Sequence, residues 1–263
     1  MDNELNSKSG SPSSGKSGAE GINPYDNRRE KGEQVEEMFD SIAPAYDFMN
    51  TAMTFGLHRM WRNKALKAAC SRLKAVSPDV LDVATGTGDV AFRLHSMLPS
   101  ARIIGIDLSK GMLDVARKKL SDIPEKERAL ITFGKADCLD LPYLDNSFDL
   151  ITVAYGVRNF ENLLQGLKEM RRVLRPGGTL CVIELSVPQG SVTRFGYRLY
   201  SRHLIPTVGK MVSGDSRAYT YLPESIAAAP QRDEMGRVMK SAGFNDVYWK
   251  ELTFGAVTYY LAR

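Results

Sequence analysis

Cysteine and histidine are both scarce, with three of each in 263 residues. Cys70, Cys138 and Cys181 lie far apart, form no Cys-x-x-Cys pair and are not joined by clustered histidines. That excludes a disulfide framework and a zinc centre, so no metal is expected, and it fits a reducing cytoplasm. The three thiols read as small buried hydrophobes. No apolar run approaches the ~20 residues that a membrane-spanning helix needs. The first twenty residues are rich in Ser, Gly and Lys and hold no apolar core segment, so a disordered tail is expected there rather than a signal peptide. Strong charge is missing as well. A net +4 and a pI near 8.9 are too mild to imply nucleic acid on their own.

What is present is an ordinary globular composition, 43% hydrophobic and 25% charged, enough for one sizeable core. Within it Val80-Leu-Asp-Val-Ala-Thr-Gly-Thr-Gly-Asp89 stands out. A short apolar run ends at Gly86 and Gly88, and an amphipathic segment from Val90 to Met97 follows, which predicts strand, tight turn and helix. Glycine lets a ligand approach the backbone closely and supplies φ values that side chains disfavour. A nucleotide-like cofactor is the expected occupant.

Ahead of this turn, Gln34 to Leu73 carries apolar residues at helical spacing, interrupted by Pro44 and Gly56, which predicts two or three helices. Tyr46, Phe48, Met49, Met53, Phe55, Met60 and Trp61 form an aromatic and Met-rich patch there, either helix core or a lid over a large apolar ligand. Beyond it, strands are expected at 102–107, 130–134, 148–154 and 179–185, alternating with helices at 110–120 and 163–174, and Arg175-Pro-Gly-Gly178 is expected to turn. A helix from Gln231 to Gly243 precedes two strand-like runs joined by Thr253-Phe-Gly255, a terminal hairpin. The fold class is α/β, a seven-stranded and mostly parallel sheet with an antiparallel C-terminal hairpin and an N-terminal helical lid. The expected divisions are a tail at 1–21, the lid at 22–76 and the main domain at 77–263, with a cover inserted at about 187–230.

Two cofactors compete for the glycine turn. Gly86-Thr-Gly88-Asp-Val-Ala91 fits the dinucleotide fingerprint, and Asp107 lies 19 residues after Gly88, where a ribose-binding acid belongs, so a NAD-dependent oxidoreductase is one reading. S-adenosylmethionine needs the same turn and the same carboxylate. Asp82, inside the strand, would repel a pyrophosphate but suit the α-ammonium of a methionine moiety. Asp137, in Lys135-Ala-Asp-Cys-Leu139, could accept from an adenine amino group while the next backbone N–H meets a ring nitrogen. Acids at the carboxyl ends of three successive strands favour the methyl donor.

Phe39-Asp-Ser-Ile-Ala-Pro-Ala-Tyr-Asp47, the glycine turn, Tyr155-Gly-Val-Arg-Asn159 and Ser213-Gly-Asp-Ser-Arg-Ala-Tyr-Thr-Tyr-Leu-Pro-Glu-Ser225 together resemble the ubiquinone/menaquinone biosynthesis C-methyltransferases, from about Val35 to the C-terminus. The resemblance implies a class I, Rossmann-like S-adenosylmethionine-dependent methyltransferase that methylates a ring carbon of a polyprenylated quinol. Demethylmenaquinol is preferred over a ubiquinone precursor. It implies Thr87, with Gly86 and Gly88, in the cofactor turn, Asp107 on the ribose, and Asp137 with Cys138 around the adenine. One cofactor position that is Ser in some members is Ala154 here.

Ring carbon attacks a sulfonium methyl only once a neighbouring hydroxyl releases its proton, so the reaction needs a base and an oxyanion holder. Arg158 stays protonated and is assigned to the developing oxyanion, with Asn159 orienting a hydroxyl or water. Asp215 and Tyr219 are the candidates for proton removal. From Ser191 to Arg217 there are five basic residues and one acid, and on a helix Arg194, Arg198 and Arg202 share a face opposite Phe195, Leu199, Tyr200 and Leu204. This segment, 191–217, is expected either to pack on the domain or to rest peripherally on anionic lipid at the inner face of the cytoplasmic membrane. A homodimer and a non-catalytic scaffold are further expectations to weigh. Nucleic-acid methylation is disfavoured, since no Asn/Asp-Pro-Pro-Tyr sequence follows the fourth strand.

Overall fold

The computed structural model describes residues 18–26, 28–199 and 216–263. Among the described residues three α-helices precede the sheet: α1 (Lys31–Ile42), α2 (Tyr46–Thr54) and α3 (Leu57–Cys70). The alternating part then runs β1 (Asp79–Val83), α4 (Asp89–Met97), β2 (Arg102–Asp107), α5 (Lys110–Ser121), a single turn α6 (Glu125–Arg128), β3 (Ile131–Lys135), β4 (Phe148–Ala154), α7 (Leu163–Val173) and β5 (Leu174–Leu185). After α8 (Ser191–Leu199) come α9 (Ser216–Ala228), α10 (Asp233–Ser241), β6 (Val247–Leu252) and β7 (Val257–Ala262).

The strands of the described residues form one seven-stranded sheet in the order β3-β2-β1-β4-β5-β7-β6. All neighbouring pairs from β3 to β5 are parallel, and β7 runs antiparallel between β5 and β6. The strand order reverses between β1 and β4, which opens a crevice at their carboxyl ends where such sheets take ligands.

Side-chain alternation builds two cores from each strand. Leu81, Val83, Ile151, Val153 and Val182 face α7 and α10, whose Leu167, Met170, Met235 and Met239 are fully buried against them. Val80, Ile103, Leu150 and Ile183 point to the opposite face, where Ala65, Leu66 and Ala69 of α3 and Ala91 and Leu94 of α4 cover them. Burial on both faces explains why these strands read as nearly continuous apolar runs. A third cluster, Met38, Ile42, Met49, Met53, Met112 and Tyr221, packs α1 and α2 onto α5 and α9 above the crevice.

Two details differ from the sequence reading. Arg175–Gly178 does not precede the fifth strand but lies inside it: pairing jumps from Phe148↔Leu174 to Leu150↔Thr179, so the turn is a bulge with Gly177 at φ 80°. Of the three cysteines only Cys181 is fully buried.

Candidate active site

The turn after β1 forces its backbone into left-handed conformations at Ala84 (φ 51°), Gly86 (φ 57°) and Gly88 (φ 82°). Gly88 admits no side chain. A Cβ there would stand 2.8 Å from a ring carbon of Phe92 and 2.9 Å from Phe133. The turn is fastened to β2, since the Asp107 carboxylate accepts from the Gly86 amide at 2.8 Å and the Ser109 amide at 2.9 Å. Burial raises the Asp107 pKa, opposed by these amide donors.

Above the turn is an open cavity. Gly86, Asp107, Asp137, Cys138 and Asn159 line it, as does Ala154, with Val35, Phe39 and Tyr46 of the helical lid across from them. Three residues expected in the cofactor site do not line it. Asp82 is buried, and its carboxylate accepts from Thr85 Oγ1 and from Thr152 Oγ1, each at 2.6 Å, so it braces the turn from beneath. Burial, only partly offset by those two hydroxyls, pushes its pKa up to about 6. Thr87 donates to Asp47 Oδ1 at 2.6 Å and accepts from Lys119 Nζ at 3.1 Å, facing α2 and α5 instead. Gly88 is enclosed by the aromatic rings just described.

A second and larger cavity abuts the first. Its walls are mostly apolar, with Met38, Met49 and Met53 from the lid, Tyr221, Leu222 and Ile226 from α9, and Tyr197 from α8. Phe39, Tyr46 and Tyr155 line both cavities and form the wall between them. Of the aromatic and Met-rich patch, Met49, Met53 and Trp61 are core and cavity lining at once, whereas Phe48 and Met60 are exposed and line neither cavity.

Arg158, in the turn after β4, lines the second cavity and is buried beside Glu184 of β5, to which Nη1 donates at 2.9 Å. It also donates to the Tyr155 carbonyl. Burial is the largest influence and opposes its charge, but the Glu184 carboxylate together with Tyr46 and Tyr221 outweighs it and raises the pKa. Its Nε is buried without a partner among the described residues, as is Tyr155 Oη. Asn159 Oδ1 accepts from Tyr221 Oη at 3.0 Å. His58, on α3, also lines this cavity. Burial first, then Arg62, lowers its pKa to about 4, against the pull of Asp89 and Asp47. Asp215 lies outside the described residues, and Tyr219 falls in α9 but its side chain is not described. Of the 191–217 surface, only α8 and the backbone of the first two residues of α9 are described.

A family model, the ubiE/COQ5 methyltransferase family, matches residues 27–263. The chain belongs to that family. A demethylmenaquinone methyltransferase from Porphyromonas gingivalis is 46% identical over 244 residues, covering 92% of this chain and 97% of that protein. One from Deinococcus radiodurans is 44% identical over 238 residues, 90% and 95% of the two chains. The ubiquinone/menaquinone biosynthesis C-methyltransferase UbiE of Geotalea daltonii is 42% identical, with 88% and 96% covered. Solved structures with the same fold include the [4+2]-cyclase SpnF, at TM-score 0.61 and 20% identity over 86% of this chain and 76% of that one. Phosphoethanolamine N-methyltransferase 2 of Haemonchus contortus, in complex with S-adenosyl-L-methionine, aligns at TM-score 0.55 and 16% identity, over 76% and 52% of the chains. The protein is thus a methyltransferase of the ubiE/COQ5 family on a Rossmann-like sheet.

Within this methyltransferase the sequence reading passed over several residues that the fold brings to the site. Glu184 and Tyr221 come from elements far along the chain. Their pairing with Arg158 and Asn159 depends on packing that no local pattern records. His58 was open to inspection as one of three histidines, four residues after Thr54 on a helical stretch, a spacing that puts the two side chains together.

Proposed function

We propose that the protein transfers the methyl group of S-adenosylmethionine to a ring carbon of a polyprenylated demethylmenaquinol. The observation that carries this reading is the pair of abutting cavities, one ending in the carboxylates of Asp107 and Asp137, the other large and apolar, divided by Phe39, Tyr46 and Tyr155. A cofactor of nucleoside and amino-acid halves fits the first, where Asp107 would accept from the ribose hydroxyls and Asp137 with the Cys138 amide would meet the adenine edge. The names of the relatives favour the menaquinone substrate over the ubiquinone precursor.

When bound, the cofactor supplies an electrophilic methyl. The chain's own residues orient the acceptor and hold charge. Arg158 keeps one unpaired N–H donor at Nε, and we assign it to the oxygen on which negative charge develops as the ring attacks. Glu184 locks that guanidinium in place. Asn159, held by Tyr221, orients a quinol hydroxyl or a water. The apolar walls take the ring and the start of its prenyl chain and keep bulk water away.

The substrate's hydrocarbon tail places the reaction at the inner face of the cytoplasmic membrane in this reading. No helix among the described residues is long and apolar enough to cross a membrane. Peripheral contact is supported by α8, where Val192, Phe195 and Leu199 are exposed along one side while Tyr197 lines the large cavity.

Incubation with S-adenosylmethionine and a short-chain demethylmenaquinol is expected to give a product one methylene heavier, identified by mass spectrometry. Methylation of a demethoxy-ubiquinol analogue in preference would move the substrate assignment to the ubiquinone branch. Binding of NAD with no methyl transfer would overturn the reading.

A further inference from the structure

Transfer to carbon needs a proton acceptor for the quinol hydroxyl, and the residues around the large cavity narrow the choice. Among its described lining residues the ionisable side chains are Tyr46, Tyr155, Tyr197, Tyr221, Arg158 and His58. The tyrosines are all pushed up by burial and so remain neutral hydroxyls, and the arginine is a cation. Only the imidazole is a neutral nitrogen base. The carboxylates that act on His58, Asp89 and Asp47, are paired with Arg62 and Lys119, and Glu184 is paired with Arg158.

The tautomer of that imidazole follows from the hydrogen bonds of its own helical stretch. Thr54 Oγ1 donates its one proton to the Asn50 carbonyl at 2.6 Å. It also lies 2.7 Å from His58 Nδ1. Having already spent its proton, the hydroxyl can only accept from the ring, so Nδ1 carries the hydrogen and Nε2 carries the lone pair. No side chain among the described residues bonds to Nε2. The bare nitrogen belongs to a ring on the wall of the apolar cavity.

Resting on the quinol methyltransferase reading, we infer that His58 is a catalytic residue, its Nε2 accepting the proton of the acceptor's hydroxyl as the ring carbon takes the methyl, with Thr54 as the residue that sets its tautomer. The O–H bond breaks and its proton goes to Nε2, while the O–H electron pair forms the C=O bond. The ring π pair is thereby released to form the new C–C bond, and the methyl–sulfur bond breaks with its pair staying on sulfur. The methylated carbon then loses its ring hydrogen to water, its C–H pair restores the aromatic ring, and the oxygen regains the proton from Nε2. One proton is released overall. Burial and the neighbouring Arg62 and Arg59 keep the imidazole neutral at working pH, so it is always in the accepting form.

The test measures initial rates with short-chain demethylmenaquinol for the wild type, His58→Ala, His58→Gln and Thr54→Val, together with S-adenosylhomocysteine affinity by calorimetry. His58→Ala and His58→Gln are expected to lose about 100-fold or more in kcat, with cofactor affinity within about twofold of wild type because the residue lines the other cavity. Added imidazole should restore part of the rate to His58→Ala, and methylimidazoles of higher pKa should restore more. Thr54→Val should fall by about 10-fold, reflecting an unset tautomer. Wild-type rates in both His58 variants would overturn the inference and send the search for the base to Asp215 and Tyr219. So would a loss that no imidazole restores in a variant with wild-type cofactor affinity, since that is the behaviour of a packing residue. Failure of the methyl-transfer reading is distinguishable, because the wild type itself would then be inactive.

Discussion

Asp82 shows how a single buried carboxylate can trade stability for geometry. Its two hydroxyl donors, Thr85 and Thr152, do not compensate for burial, and its pKa of about 6 in the folded protein exceeds the 3.8 of the free side chain. An acid whose folded pKa is raised is penalised in its ionised form. The penalty is absent below pH 4, grows as pH rises from about 4 to about 6, and is complete above that, reaching ~3 kcal/mol. Asp82→Asn carries no such charge. Urea unfolding should therefore show the variant gaining on the wild type by up to that amount between pH 4 and pH 7. An unchanged difference at the two pH values would refute the buried-charge account. The sequence suggested a ligand-facing role for Asp82 because it sits beside the glycines. What it could not supply is the register Asp82↔Thr152, a pairing between strands seventy residues apart that gives the carboxylate its partner. Arg158 has the same history: its loop was legible, while Glu184, on the next strand, was not.

At the level of elements, the lid is fastened to the cofactor turn by acids rather than by apolar packing alone. Asp40 of α1 accepts from Ser109 Oγ at 2.6 Å and from the Gly111 amide at 2.8 Å at the start of α5, a favourable place for a carboxylate. Asp47 of α2 takes Thr87 at 2.6 Å and Lys119 at 2.5 Å. Removing the second of these by Asp47→Ala should loosen the turn and weaken S-adenosylhomocysteine binding by roughly fivefold, ~1 kcal/mol, with calorimetric titration as the check. Strands were the most legible elements, since apolar runs between glycines and prolines leave few alternatives: β4 matched to the residue, Phe148 to Ala154. Helices were placed to within a turn for α5 and α7. The bulge at Arg175–Gly178 was missed because Pro-Gly-Gly announces a turn without saying whether the strand resumes its pairing beyond it.

Considered as a whole, the molecule exposes some apolar residues singly, Phe48, Val76 and Leu144 among them, and others together. Val192, Phe195 and Leu199 of α8, and Phe55 and Phe254 at the mouth of the large cavity, are all more than half exposed. Scattered exposed hydrophobes are ordinary, but a stripe on a helix next to an apolar opening suits a lipid surface. The triple substitution Val192→Ser, Phe195→Ser, Leu199→Ser should abolish co-sedimentation with anionic vesicles and slow turnover of a long-chain quinol carried in them. Turnover of a short-chain quinol in solution should be retained. If the triple variant still co-sediments, the contact lies elsewhere.

Three aromatic side chains, Phe39, Tyr46 and Tyr155, are common to the walls of the two cavities. A sulfonium methyl is an alkylating agent, and whatever nucleophile first reaches it is consumed. In the proposed reaction the ring meets the methyl across these side chains, and the mostly apolar lining of the larger cavity disfavours water there. On the proposed reading, the fraction of cofactor spent on quinol rather than lost to solvent depends on the same rings that bring donor and acceptor together.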